Sequence, residues 1–190
     1  MTKSIIYLHG FASSSDSTKA KLIQKFISKN HRKVKIFTPD LSNNFHEAIL
    51  QIEELISICE KPIAFMGSSL GGYYADYFAQ KFNAKAVLIN PAIPPLEGFD
   101  IHLGENENYS TGEKFNLSHE DIEYLRSISH KKFMNHEKTL VLVESGDEIL
   151  NYSKSISYFA GSQLDIVYGG NHSYSSFQEK LKKIRNFLRI

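Results

Sequence analysis

A serine flanked by glycines follows a short apolar run and is the first candidate for chemistry. The run Pro62–Met66 leads into the segment Gly67–Gly72, which contains the pattern G-x-S-x-G with Ser69 at its centre. A serine in that pattern, on a tight turn between a strand and a helix, exposes its hydroxyl as a nucleophile for acyl transfer. The segment lacks the G-x-G-x-x-G of a dinucleotide site and the lysine of a phosphate-binding loop. An ordinary glycine-rich turn is the alternative, but the apolar run before it and the helix-forming residues after it favour a nucleophilic Ser69.

A serine nucleophile of this kind requires an acid and a histidine, which follow it in that order along the chain. The apolar run Thr139–Val143 is followed by Asp147, and the run Leu164–Tyr168 is followed by His172. Because open parallel sheets carry their sites at the carboxyl ends of the strands, both side chains are expected to meet Ser69. The predicted chemistry is attack by Ser69, with His172 as the base and Asp147 as the residue that orients it.

Other residues compete for these roles. Glu148 is adjacent to Asp147, Glu144 lies at the end of the strand as a weaker choice, and a simple turn is the alternative role for Asp147. His172 is favoured because it follows the last predicted strand and precedes the final helix. Six other histidines lack such a position: His31, His46, His102, His119, His130 and His136.

The first predicted strand, Ser4–Leu8, ends in His9, Gly10 and Phe11. A His-Gly pair after an early strand supplies the second amide that binds the negative oxygen of an acyl-transfer intermediate. The two donors are therefore predicted to be the backbone N–H groups of Phe11 and Leu70, each worth roughly 3–4 kcal/mol in enzymes of this kind. The candidate substrate contacts are His9, Gly10, Ser68 and Tyr73. A structural role is the alternative for the side chains among them, and for His9 that alternative is favoured.

Taken together, these segments resemble the YqiA-type esterases, a family of small single-domain α/β-hydrolases, over nearly the whole chain. The resemblance implies a Ser69–Asp147–His172 triad that hydrolyses acyl esters, including acyl-CoA thioesters. The family tends to have Asp-Tyr soon after its acid, where this chain has Asn151 and Tyr152, which weakens any case for a second acid at that position. The segments that carry the resemblance are Tyr7–Phe11, Gly67–Ala75, Asn90–Ala92, Leu103–Asn108, Thr111–Gly112, Gly146–Glu148 and Gly169–His172.

The elements that must position these residues alternate between strand and helix along the chain. Alternating β and α elements predict a mostly parallel sheet of about six strands with helices on both faces, which is an α/β-hydrolase fold with two strands fewer than usual. Strands are expected at 4–9, 34–37, 62–66, 86–89, 139–143 and 164–168. Helices are expected near 17–29 with Ser17 as N-cap, at 45–59, after Ser69, near 152–160 and towards the end of the chain.

Residues 91–136 interrupt the alternation and predict a small cap over the site. The insert opens with three prolines and ends in one helix, where Ser118 begins a capping-box pattern with Asp121. Its apolar residues either line an acyl pocket or pin the insert to the body of the protein. They are Ile93, Leu96, Phe99, Ile101 and Leu103.

The composition limits the remaining possibilities. A chain of 190 residues suits one domain over 1–190, and a net charge of +1 gives no basic surface for nucleic acid. The only cysteine, Cys59, cannot form an intrachain disulfide and is expected in the core. No apolar signal segment precedes the first strand, and no run is long enough to span a membrane. We therefore expect a cytoplasmic protein that acts on a small molecule and needs neither a metal nor an organic cofactor.

Three functions are compatible with this pattern. A serine esterase acting on carboxylic esters or thioesters is the main hypothesis, because all four elements of such a site occur in the required order. A catalytically idle protein that binds a ligand in the same pocket is one alternative. An amidase or acyltransferase on the same fold is the other, since fold alone does not establish function.

Overall fold

Six strands form a central parallel sheet in the computed structural model, which describes residues 1–190. Every neighbouring pair of strands in this sheet is parallel. In chain order the strands of the protein are β1 (Ser4–Leu8), β2 (Lys35–Phe37), β3 (Ile63–Ser68), β4 (Lys85–Ile89), β5 (Gly104–Glu107), β6 (Lys114–Leu117), β7 (Thr139–Glu144) and β8 (Gln163–Val167). The order across the sheet is β2-β1-β3-β4-β7-β8, with Lys35–Phe37 at one edge, and β5 and β6 form a separate antiparallel pair.

Six α-helices connect and cover these strands, and none of them is both long and apolar enough to cross a membrane. Ser17 caps the first helix by accepting from the amide of Ala20, as the sequence predicted. Cys59 is buried at the end of the second helix. The helices are α1 (Thr18–Asn30), α2 (Phe45–Ile58), α3 (Leu70–Phe82), α4 (His119–Ile128), α5 (Tyr152–Tyr158) and α6 (Phe177–Leu188).

The sheet separates two apolar cores. Successive side chains of β1 point to opposite faces, so that Ile5 packs with α1 and α6, whereas Ile6 packs with α2 and α3. A strand buried on both faces needs a continuous apolar run, which is the pattern that made these strands visible in the sequence. The carboxyl ends of β1, β3, β7 and β8 consequently meet at one edge of the sheet.

The insert has more regular structure than the sequence indicated. The capping box at α4 is present, since Ser118 accepts from the Asp121 amide and Asp121 accepts from the Ser118 amide. Before it, however, lie a 3₁₀ turn at Phe99–His102 and the β5–β6 hairpin, neither of which the sequence predicted. The strand Gly104–Glu107 has the sequence GENE, so its residues carry no apolar alternation that would predict a strand.

One apolar residue of the insert fits neither of the two roles predicted for this set, which were lining an acyl pocket and attaching the insert to the body of the protein. Ile101 is 80% exposed, so it neither lines a pocket nor pins the insert to the body. Leu96, in contrast, is buried in the larger core, and Ile93, Phe99 and Leu103 pack against that core. Most of this apolar set therefore attaches the insert to the protein.

A carboxyl group is buried on α3. Asp76 is only 4% exposed, its Oδ2 accepts a hydrogen bond from Gln80, and its Oδ1 has no hydrogen-bond partner in the chain. Burial raises the pKa of Asp76 to about 7, and the hydrogen bond from Gln80 opposes this only in part. In the unfolded chain an aspartate has a pKa of about 3.9, so the unfolded chain loses this proton first as the pH rises.

Asp76 should therefore make the protein less stable as the pH rises from about 4 to about 7. We expect Asp76→Asn to remove this loss of stability. The difference in thermal stability between the variant and the wild type should therefore grow in favour of the variant from about pH 4 to about pH 7 and stay constant at higher pH. Thermal unfolding at a series of pH values measures the difference between the two proteins. Asp16→Asn, at an exposed position, is the matched control and should show no such gain. A constant difference between Asp76→Asn and the wild type at every pH would contradict the prediction.

Candidate active site

Ser69 lies at the junction of β3 and α3 in a backbone conformation that few side chains adopt. Its φ is 55° and its ψ is −123°, and it is the N-cap residue of α3 without a side-chain capping bond. Backbone conformations of this kind are strained and persist only where the surrounding structure holds them. The Ser69 amide donates to Ile89, and its carbonyl accepts from Ala92, so β4 and the segment after it hold the turn.

The glycines around Ser69 are required by close backbone contacts. A Cβ on Gly67 would lie 1.9 Å from the carbonyl oxygen of Gly71, and a Cβ on Gly71 would lie 2.1 Å from that of Leu8. Both distances are far below any van der Waals contact with backbone atoms that cannot move aside. The G-x-S-x-G pattern thus lets α3 pack directly against β1 and leaves the Ser69 hydroxyl free to point away from the sheet.

The structure brings Ser69, His172 and Asp147 together in one hydrogen-bonded chain. Nε2 of His172 lies 3.0 Å from Oγ of Ser69, and Nδ1 lies 3.0 Å and 2.9 Å from the two carboxylate oxygens of Asp147. The Asp147 side chain is 1% exposed and that of His172 is 18% exposed. A carboxylate can only accept, so Nδ1 carries the proton and Nε2 is left to accept from the serine hydroxyl. This arrangement can deprotonate Ser69.

Backbone amides hold the Asp147 carboxylate in place. Its Oδ1 accepts from the amides of Ile149 and Leu150, at 2.9 and 2.7 Å. The adjacent Glu148 points elsewhere and accepts from the backbone amide of His172 at 2.9 Å, so it holds the histidine loop without reaching the imidazole. Of the two neighbouring carboxylates, only that of Asp147 contacts the ring.

Glu144, the third candidate acid, also stays away from the imidazole and organises the loop that carries it. Its buried carboxylate accepts from the amides of Asn171, Ser175 and Ser176 at 2.7, 3.1 and 2.8 Å. Burial alone would raise the pKa of Glu144, but the hydrogen bonds from Ser176, Asn171 and Ser175 outweigh it and hold the pKa below its usual range. Gly170 is required beside it, because a Cβ there would lie 2.0 Å from Oε2 of Glu144.

Sequence reasoning missed a second support of the histidine loop. Asn90, directly after β4, is 2% exposed and donates from Nδ2 to the carbonyls of Asn171 and His172, at 3.0 and 3.1 Å. Its Oδ1 accepts from the Glu144 amide at 2.9 Å, so one amide side chain joins the ends of β4 and β7 to the loop. The available signal was a polar residue immediately after a buried strand, at the same sheet edge as Ser69.

The two amides predicted to bind an oxyanion lie at the ends of neighbouring strands. Leu70 is the first residue of α3, so its N–H has no acceptor one turn back in the helix, and the helix dipole adds positive potential there. The Phe11 amide makes no hydrogen bond within the chain. Gly10 faces the serine, since a Cβ on it would lie 3.4 Å from Cβ and 3.9 Å from Oγ of Ser69.

Two of the residues predicted to contact substrate are packed in the interior of the protein. His9 is 6% exposed, its Nε2 accepts from the Leu41 amide at 3.0 Å, and its Nδ1 therefore donates to the Gly10 carbonyl at 2.9 Å. Burial lowers the pKa of His9, with the Gly10 hydrogen bond opposing this, so the ring is neutral and its nitrogens are occupied. Tyr73 is 2% exposed and donates to the Leu125 carbonyl, which directs it towards α4.

Ser68, the remaining suggestion, also belongs to the interior, because it is buried as the last residue of β3. His9, Ser68 and Tyr73 are thus nearly enclosed by the protein, and their contact with a substrate stays a prediction, whereas Gly10 lies beside the serine.

The Phe11 side chain connects this site to the insert. Its ring centroid lies 5.3 Å from that of Phe99, 4.7 Å from His102 and 5.6 Å from Phe115, all of which belong to the insert. Edge-to-face and tilted pairs at such distances are favourable beyond the area they bury. The insert thus packs on the residue that follows Gly10, and Gly10 lies beside Ser69.

A family model describes nearly the whole chain. The model for the "Uncharacterised protein family (UPF0227)" matches residues 4–189. The chain is also 25% identical over 188 residues to UPF0227 protein YcfP of Escherichia coli O9:H4 (strain HS), a match that covers 96% of this chain and 97% of that protein. These matches confirm the family resemblance predicted from the sequence.

Solved structures share the fold at low sequence identity. Est1E from Butyrivibrio proteoclasticus, in a structure with bound ferulic acid, has a TM-score of 0.75 at 15% identity over 98% of this chain and 88% of that chain. Alpha/beta hydrolase domain-containing protein 10 from mouse has a TM-score of 0.72 at 16% identity over 100% of this chain and 90% of that chain. The predicted α/β-hydrolase fold is thereby confirmed, and at these identities the likeness concerns the fold alone.

Proposed function

We propose that this chain, which belongs to the UPF0227 family, is a serine esterase that hydrolyses carboxylic esters or thioesters of small molecules. The observation that carries the proposal is the continuous hydrogen-bonded chain from Asp147 through His172 to Oγ of Ser69. Three residues far apart in sequence meet in the geometry that converts a serine hydroxyl into a nucleophile. The free amide of Phe11 and the helix-terminal amide of Leu70 supply the complementary positive potential.

The reaction proceeds through an acyl-enzyme. Nε2 of His172 takes the hydroxyl proton as Oγ of Ser69 attacks the carbonyl carbon, and the amides of Leu70 and Phe11 bind the oxyanion that forms. The C–O or C–S bond to the leaving group then breaks, and the imidazolium gives its proton to the departing alcohol or thiol. Water, deprotonated in turn by His172, attacks the acyl-serine and releases the carboxylic acid with Ser69 regenerated. Asp147 stabilises the imidazolium in both halves.

A cleft whose walls are hydrogen-bonded to two of the triad residues is the place we propose for the acyl chain. It has a volume of about 190 Å³ and lies between the segment that follows β4 and the loop that follows Asp147. Both walls are bonded to the proposed catalytic residues, because Ala92 donates to the Ser69 carbonyl and Leu150 donates to the Asp147 carboxylate. The cleft has an apolar part and a polar part, the latter formed by Glu97, Asn151, Lys154 and Ser155. The apolar part is lined by Pro91, Ala92, Ile93, Pro94, Pro95, Leu96, Phe99, Ile149 and Leu150.

The cleft is short, so we expect a preference for short and medium acyl chains. Each methylene buried in it should raise kcat/KM by up to about fourfold, from roughly 0.8 kcal/mol of transfer free energy, until the cleft is full. With p-nitrophenyl esters, kcat/KM should rise from acetate to a maximum and then decline towards palmitate. Ile93→Ala should move the maximum to longer chains, because it removes part of the wall.

The exposed Ile101 provides the matched control for that substitution. Ile101→Ala makes the same change in the same insert but at a residue outside the cleft, so it should leave the chain-length profile of the wild type unchanged. A maximum that stays in place in Ile93→Ala, or moves equally in both variants, would show that the acyl chain lies elsewhere.

The proposal is tested directly by covalent labelling with a fluorophosphonate probe, followed by peptide mapping. Labelling of Ser69 together with hydrolysis of an ester series is the expected result. Labelling with no hydrolysis, but with ester formation when an alcohol acceptor is added, would identify a transferase. Amide cleavage faster than ester cleavage would identify an amidase. A folded protein that binds substrate analogues but is neither labelled nor active would favour the idle binding protein.

A further inference from the structure

The β5–β6 hairpin contains a buried amide that the proposed reaction does not use. Asn108, at the start of the hairpin loop, is 4% exposed although the five residues that follow it in the loop are exposed. Buried polar side chains are almost always hydrogen-bonded, and their partners show what they hold together. The partners of Asn108 belong to three different parts of the chain.

One half of the Asn108 carboxamide shapes its own loop. Its Oδ1 accepts from the amides of Ser110 and Thr111, at 2.9 and 3.1 Å. This is the local turn that asparagine side chains commonly form with the residues that follow. The other half is directed away from the hairpin: Nδ2 donates to the carbonyl of Ser13 at 3.0 Å and to Oδ1 of Asn43 at 3.4 Å.

The next residue of the hairpin loop holds the neighbouring carbonyl. The amide of Tyr109 donates to the carbonyl of Ala12 at 2.8 Å, so two consecutive carbonyls after Phe11 are bound by the loop. Ala12 has a φ of 49°, a left-handed conformation that is unfavourable for an alanine. The segment that carries the Phe11 amide is therefore held in a conformation that it would not favour alone.

From these contacts we infer that Asn108 is a positioning residue for the oxyanion hole. By binding the Ser13 carbonyl it holds segment 10–13 so that the Phe11 N–H lies beside Ser69, free of any acceptor within the chain. The insert thus acts on catalysis through the backbone after β1. This inference rests on the proposed esterase function and adds a residue 95 positions away from the loop that it holds.

Asn108→Asp separates the two halves of the side chain. The aspartate keeps the acceptor for Ser110 and Thr111, so the hairpin loop is retained, but it replaces the donor to Ser13 by an acceptor that repels the carbonyl. We expect kcat to fall by roughly 10- to 100-fold, a fraction of the loss from deleting an oxyanion donor, while KM changes by less than about threefold. The affinity for a trifluoromethyl ketone, which forms an oxyanion on Ser69, should fall in parallel with kcat.

Asn116→Asp is the matched control, since it makes the same change at an exposed residue of the same hairpin and should keep wild-type kinetics. Asn108→Ala is the second variant in case the buried charge unfolds Asn108→Asp, and it should show the same loss in kcat. Hydrogen exchange of the Tyr109 amide, which donates to the Ala12 carbonyl, should accelerate in both Asn108 variants, whether or not substrate is turned over. Wild-type kcat in a folded Asn108 variant, or unchanged exchange at Tyr109, would overturn the inference. Absence of esterase activity in the wild type would instead overturn the proposed function, and the exchange measurement would still decide whether Asn108 holds the segment.

Discussion

Replacing Ser69 by alanine should lower kcat for ester hydrolysis by roughly 10⁵- to 10⁶-fold, as removal of the nucleophile does in well-studied serine hydrolases. The reason is that no other hydroxyl lies within hydrogen-bond distance of Nε2 of His172. The variant should also lose all labelling by a fluorophosphonate, because the probe needs the same oxygen. Substrate analogues should still bind, since the cleft and the two amides are unchanged.

The fold should survive this substitution. Oγ of Ser69 contributes only its hydrogen bond to His172, and alanine adopts the strained turn no less easily than serine. Thermal unfolding within a few degrees of the wild type is therefore expected. Ser57→Ala, at an exposed position at the end of α2, is the matched control and should keep full activity and labelling. Hydrolysis at the wild-type rate by purified Ser69→Ala would mean that another group, or another protein in the preparation, performs the reaction.

The sequence predicted the fold well because buried parallel strands leave a strong pattern. Continuous apolar runs such as Thr139–Val143 have few alternative structures, and the sheet edge where they end could be inferred from their parallel order. The positions of Ser69, Asp147 and His172 followed from that edge. Their distances from one another could not follow, because they depend on how the loops after the strands are held.

The residues that hold those loops in place could not be identified from the sequence, for a physical reason. Asn90 and Glu144 bind backbone groups of the histidine loop, and Asn108 binds the backbone after Phe11, over separations of 81, 27 and 95 residues. A side chain that binds a distant carbonyl or amide imposes no periodicity on its own segment, so a single sequence carries no sign of the pairing. The β5–β6 hairpin was missed because its first strand, GENE, has no apolar alternation.

The same reasoning applies to the three carboxylates at and after the end of β7, because their order along the chain does not show what each one binds. Glu144 ends β7, Asp147 and Glu148 lie in the turn that follows, and each accepts hydrogen bonds from backbone amides. Only Asp147 also reaches Nδ1 of His172, and Glu148 binds the backbone of that histidine instead. The structure thus gives two adjacent acids different tasks, which a matched pair of amide substitutions can separate.

Asp147→Asn should lower kcat by about 10⁴-fold at neutral pH, the loss seen when the corresponding acid is made an amide in a serine protease. Oδ1 of the asparagine can still accept from Ile149 and Leu150, so the loop should keep its shape. Its amide group, however, now donates to Nδ1 of His172, which moves the ring proton to Nε2. An Nε2 that carries a proton cannot accept one from Ser69, and the imidazolium also loses its neighbouring negative charge.

Glu148→Gln is the control because the two residues are adjacent and carry the same charge. The glutamine keeps an oxygen that accepts from the His172 amide, so we expect kcat to fall by less than about tenfold, far less than the loss of the triad acid. Steady-state kinetics of both variants on one ester, together with their rates of fluorophosphonate labelling, decide the assignment. Equal losses in the two variants would mean that the charge of the turn, rather than the Asp147 contact with the ring, supports catalysis. A larger loss in Glu148→Gln would make Glu148 the acid and Asp147 the residue that only shapes the turn.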